Sequence, residues 1–249
     1  VLNMTNTADY VMVGGTFSTY SYKNHTECLT AGTMEVKGDF IERAYTIWYD
    51  SSYRYNFKAS GTHKVVLSGS VTQKIDFEYP GNSQFNILEI KNPSSQVSFA
   101  SSLNVNKIIT NGNTIPSLTI SSMNWKLNED IVIAGNLNLG GSSIDLNAYK
   151  LSVQGAVYQT GGTMNINGGQ LIIENDYRIE NSGNYVDAVL NMTNAADYVR
   201  VDGTFSTYSN YNHSEYLTAG TMELKGDFIE RAYKHWYYSS YLYNFKASG

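Results

Sequence analysis

Ile131-Val132-Ile133-Ala134-Gly135-Asn136-Leu137 returns twenty residues later as Leu151-Ser152-Val153-Gln154-Gly155-Ala156-Val157, and again as Leu171-Ile172-Ile173-Glu174-Asn175-Asp176-Tyr177. The shared pattern is apolar-x-apolar-x-Gly/Asn-x-apolar. Alternation with period two marks a strand with one buried face, and Gly or Asn at the fifth place is the residue type that tolerates a bend or a left-handed backbone. The connections align as well. Ile144-Asp145-Leu146-Asn147 stands twenty residues before Met164-Asn165-Ile166-Asn167, and the Gly pairs at 140–141 and 161–162 fall at neighbouring corners, where Asn147 and Asn167 can bond along the stack.

The pattern extends outward from this stretch. It begins at Val11, Met34, Val65, Val199 and Met222, with weaker versions at Leu88 and Lys107, where Asn92 and Asn111 hold the glycine place. In the form starting at Val65, Val71 takes the last apolar place. A unit of about 20–23 residues with short apolar-faced strands cannot bury that face alone. Stacked units can, because each strand pairs with its equivalents above and below. The expected fold is therefore all-β, a parallel β-solenoid of about ten to eleven coils. A right-handed coil is expected, since that is the default hand of parallel crossovers. An antiparallel sandwich or propeller is disfavoured by the lack of regularly spaced two-residue hairpin turns.

A longer period overlies the short one. Residues 1–61 recur as residues 189–249 with 12 differences, among them Met12 against Arg200 and Cys28 against Tyr216. Residues 1–188 read as one full tandem repeat of about eight coils, and residues 189–249 as the start of the next, in a continuous solenoid without a domain break. The chain reads as a window onto a longer tandem-repeat polypeptide. At about 4.8 Å per coil, one repeat would advance the axis by roughly 38 Å.

Composition removes several function classes. Charged residues make up 16% of the chain and the net charge is −5, with no cluster of Lys and Arg, so nucleic acid is not an expected partner. No apolar run reaches the ~18 residues of a membrane span. Cys28 is the only cysteine and becomes Tyr216, so no disulfide framework or metal cluster can rest on it, and no cofactor is expected. His25 and His213 read as exposed loop histidines. Asp39, Glu42 and Arg43, with Asp227, Glu230 and Arg231, read as solvated charges with local pairing. No enzyme activity is expected. The four Asn-x-Ser/Thr triplets at Asn3, Asn24, Asn191 and Asn212 carry little weight in so Asn-rich a chain.

The rhythm is broken at residues 44–57 and again at 232–245, two insertions dense in Tyr and Trp. Tyr45, Trp48, Tyr49, Tyr53 and Tyr55, with Tyr233, Trp236, Tyr237, Tyr241 and Tyr243, are the candidate contact residues. Such rings suit lateral contacts between chains or stacking on sugar.

Segments 29–40, 60–69 and 162–173, of which Gly162-Thr-Met-Asn-Ile-Asn-Gly-Gly-Gln-Leu-Ile-Ile173 is typical, resemble the repeats of very large surface-exposed proteins of clostridia and related Gram-positive bacteria. The resemblance covers essentially the whole chain and is one of repeat style. It implies an extracellular or cell-surface β-solenoid that forms a filament, stalk or adhesin and self-associates end to end or by lateral bundling. The alternative is a carbohydrate-binding or carbohydrate-active solenoid, with polysaccharide as partner.

Overall fold

The computed structural model describes every residue except 22–24, 48–49, 54–56, 94–95, 122, 181–187, 209–212, 235–240, 243–244 and 249, and describes only the backbone at 46–47, 50–53, 233–234 and 241–242. Strands pair in parallel almost throughout, and the one helical segment among the described residues is a single 3-10 turn, His213–Glu215. The fold is a β-solenoid. It comprises two compact units, Val1–Pro116 and Ser117–Gly249. The 188/189 repeat boundary falls inside the second unit, in the strand Ala188–Asn191.

The second unit carries three parallel sheets, one for each side of its coil. Ile131–Ile133, Lys150–Val153, Gln170–Ile173, Tyr198–Val201 and Thr221–Leu224 stack in the first. In register, Ile131 lies opposite Leu151, Leu151 opposite Leu171, Leu171 opposite Val199 and Val199 opposite Met222. The other two sheets run through Leu137, Val157, Tyr177, Phe205 and Phe228, and through Ile144, Met164 and Leu190. Alternate residues of each strand point inward, and those of the central coils are fully buried. Each such Leu, Ile or Val contributes about 1.5–3 kcal/mol relative to exposure, which no coil gains without a neighbour.

The first unit holds a five-stranded and a four-stranded parallel sheet. Its longest sheet runs Val11, Met34, Val65, Leu88, Ile108. The sequence pattern placed the last of these strands at Lys107, one residue early. Leu88 faces Ile108, and the buried residues are Ile108 and Thr110. A second difference concerns Val71, which is 64% exposed, while Ile75 takes the place opposite Phe40. Three residues, Ser70, Val71 and Thr72, bulge out between Gly69 and the strand Gln73–Phe77. Gln73 makes this possible: its buried amide donates to Val36 O at 2.9 Å and Gly38 O at 2.7 Å, and its Oε1 accepts from Gly69 N.

The glycine at the fifth place stands at a bend, one of the two conformations the sequence suggested, but not in the left-handed one. Gly38, Gly155, Gly203 and Gly226 do not have a left-handed backbone. Instead a Cβ on Gly38 would lie 2.5 Å from Gly15 C, one on Gly155 2.6 Å from Gly135 C, and one on Gly226 2.6 Å from Gly203 C. Coils approach too closely there for any side chain. Left-handed residues sit at other corners, at Asn147 (φ 49°), Asn167 (φ 45°), Gly141 (φ 77°) and Gly162 (φ 70°). Asn147 Nδ2 donates to Leu127 O at 3.1 Å in the preceding coil, and Asn167 Nδ2 to Asp145 Oδ1 at 2.9 Å.

The aromatic insertions form short antiparallel pairs. Thr46–Ile47 pairs with Asp50–Tyr53, and Tyr233–Lys234 with Tyr241–Leu242.

Candidate functional site

The two copies of the 61-residue segment lie in different surroundings, and this exposes the clearest candidate surface. Phe40 is fully buried, in ring contact with Phe17, Phe57, Phe77 and Phe85 at centroid distances of 4.8 to 5.9 Å. Its counterpart Phe228 is 47% exposed and, among the described residues, keeps the first two of those partners, Phe205 at 5.8 Å and Phe245 at 5.3 Å. Met34 and Val36 are fully buried, whereas Met222 and Leu224 are half-buried. The result is an open apolar trough of about 560 Å³ lined by Met192, Leu217, Met222, Leu224, Phe228 and Phe245.

Of the ten aromatic candidates, four are placed. Tyr45 is half-buried, its ring 5.4 Å from that of Tyr20. Tyr53 lies opposite Thr46, Tyr233 opposite Leu242 and Tyr241 opposite Lys234 in the two hairpins. Trp48, Tyr49, Tyr55, Trp236, Tyr237 and Tyr243 lie outside the described residues.

Both shared histidines are buried, contrary to the sequence reading, at 5% and 0% exposure. His213 Nε2 accepts a hydrogen bond from Leu190 N at 3.2 Å, and its ring lies 6.4 Å from Phe245, as His25 lies 6.5 Å from Phe57. They anchor the turn under the aromatic cluster. Glu42 is likewise buried rather than solvated, and desolvation raises its carboxyl above the ordinary range. Arg43 pairs not locally but with Asp76 of the next coil, at 2.9 Å, and Asp39 Oδ1 accepts from Lys74 N.

Three buried polar groups escaped the sequence reading. His63 has no hydrogen-bond partner for either ring nitrogen among the described residues, and burial pushes its imidazole down to about 4. Gln73 ties three coils together, accepting from Asn92 Nδ2 at 2.8 Å as well as donating to Val36 and Gly38. Gln159 accepts from the buried Tyr177 hydroxyl at 2.6 Å and donates to Val189 O at 3.0 Å. A signal for the last existed: Gln159 stands in register between Leu139 and Ile179, an inward place otherwise apolar.

On the outer face of the second unit, Asp176, Arg178, Glu180, Thr204, Tyr208 and Arg231 line a polar cleft of about 400 Å³. Arg178 pairs with Asp176 at 2.9 Å and lies over the Tyr158 ring at 5.6 Å. The described residues contain no group of three or more His, Cys, Asp or Glu suited to a metal ion. No helix of the described chain is long and apolar enough to cross a membrane. No protein-family model matches the chain, and it matches no curated protein and no solved structure.

Proposed function

We propose that this protein is a structural, non-enzymatic component of an extracellular filament, stalk or adhesin assembled from tandem β-solenoid repeats. The supporting observation is that the two copies stack alike. Tyr10–Val13 meets Thr33–Val36 in the same register in which Tyr198–Val201 meets Thr221–Leu224, despite the 12 differences between copies. A repeat that keeps its register adds length without changing the coil, which suits a mechanical spacer. The Tyr/Trp insertions would recur once per repeat and supply lateral contacts between neighbouring chains.

Electron microscopy of the purified chain, with antibody labelling of intact producing cells, tests this reading. Elongated particles that bundle, and surface labelling, are the expected results. Replacing Trp48, Tyr53, Trp236 and Tyr241 by Ser should disperse the bundles into folded single particles. Compact particles at every concentration, or label only after lysis, would overturn the proposal.

The polar cleft favours a second reading, carbohydrate binding. Two arginines, two carboxylates and a tyrosine lining one cleft are groups that sugars use, and a polysaccharide array with Arg178→Ala as control tests it.

A further inference from the structure

We propose that the face formed by Thr221–Leu224 and Phe228–Glu230 is an acceptor for one further parallel coil, and that the occupant it fits is a segment with the residues of 62–77. This deepens the structural reading and rests on it in taking the coil as the unit of assembly.

The first copy displays the complex. There Lys64–Leu67 lies on Thr33–Val36 with Val65 opposite Met34 and Leu67 opposite Val36, and Ile75 lies opposite Phe40. Every acceptor residue but one is the same in the second copy, and the exception, Val36 to Leu224, keeps the place apolar. The main-chain bonds of that coil are Thr62 N to Thr30 O at 2.8 Å, Lys64 N to Gly32 O at 3.0 Å and Ser68 N to Val36 O at 3.1 Å. Their counterparts on the open face are the carbonyls of Thr218, Gly220 and Leu224. Gly32 and Gly220 share the backbone this needs, with φ of 82° and 86°.

The second copy has already begun the same coil. Ser248 N donates to Leu217 O at 3.0 Å, as Ser60 N donates to Leu29 O at 2.9 Å. One side of the added coil is thus seated, and the trough beside it has the place that Phe77 and Phe85 fill against Phe40. Gln73 sets the specificity. Its amide bonds to Val36 O and Gly38 O, so the incoming segment must present an amide to Leu224 O and Gly226 O. An apolar strand without it would leave the bulge after the glycine corner unsupported.

The test is the full chain carrying a second copy of residues 62–85 directly after Gly249, where Gly61 precedes them in the first copy, beside the same extension scrambled. Tethering keeps the segment at high effective concentration. Hydrogen exchange at residues 221–230 should slow by about tenfold or more with the native extension and stay unchanged with the scrambled one. Gln73→Leu within the extension should lose most of that protection while the parent chain stays folded. Equal protection by both extensions, or none by the native one, would overturn the proposal. Dimers of the unextended chain that dissolve on Phe228→Ser would overturn it too, by assigning the face to a second copy. Bundling of the extended chain under the microscope reports separately on the structural reading.

Discussion

Residues 1–61 and 189–249 are nearly the same sequence read twice, and the difference between them isolates what a neighbouring coil contributes. Where the coil of Lys64–Leu67 and Gln73–Phe77 lies on the first copy, Met34, Val36 and Phe40 disappear from solvent. In the second copy Met222, Leu224 and Phe228 keep their strand, register and glycine corner while their side chains stay open. Local conformation thus comes from the repeat's own sequence and the coil before it. Burial comes from the coil after it. The largest test of this division is a pair of truncations. Phe40→Ala should cost about 3–5 kcal/mol, as for a fully buried aromatic, and Phe228→Ala no more than about half of that. Denaturant titrations of both variants measure the costs, and equal ones would break the comparison.

At the opposite edge of the repeat the asymmetry reverses, which sharpens the argument. A Cβ on Gly203 would lie 2.6 Å from Asn175 C, because a coil precedes it, whereas one on Gly15 would meet nothing within 4 Å. Gly203→Ala should therefore cost about 1–3 kcal/mol, and Gly15→Ala should fall within about 0.5 kcal/mol of the parent. If fifth-place glycines served backbone conformation, both changes would hurt equally. Thermal unfolding of the two variants decides between close approach and conformation.

Much of this fold is legible in the chain because the buried face and the period coincide. Ile131, Leu151 and Leu171 are apolar, evenly spaced and paired in register. Legibility fails where a polar residue replaces an apolar one and is satisfied from another coil. Val71 looks like the inward residue because it continues the alternation, but Gln73, bonded to carbonyls 35 and 37 residues earlier, pulls Ile75 inward instead. The register slip at Lys107 has the same origin, since Thr110 occupies a buried place that the apolar pattern does not mark. His25 and His213 read as exposed because their segment is polar, and what buries them is the aromatic cluster of Phe57 and Phe245, more than 30 residues away. The open face at 221–230 could not be read from sequence at all. It becomes visible only when the same residues are seen covered and uncovered.

The smallest expected effect concerns one carboxylate and carries a sign that separates the copies. Glu42 occupies an inward place opposite Phe77, where desolvation raises its carboxyl above the ordinary 4.5 although main-chain hydrogen bonds from Tyr79 and Glu78 act to lower it. Its counterpart Glu230 is exposed. A carboxyl raised on folding binds its proton more tightly in the folded chain, so its contribution is most favourable below about 4.5 and is lost as the pH rises through the folded value. Glu42→Gln keeps an oxygen to accept those bonds and removes the buried charge. It should raise the unfolding midpoint at pH 7 and lose that advantage toward pH 4, while Glu230→Gln changes neither. Denaturation midpoints of both variants from pH 4 to pH 8 test this. A Glu42→Gln variant that is less stable at pH 7, or an advantage that does not shrink in acid, would mean that the coil above the first copy leaves this carboxylate as well solvated as Glu230.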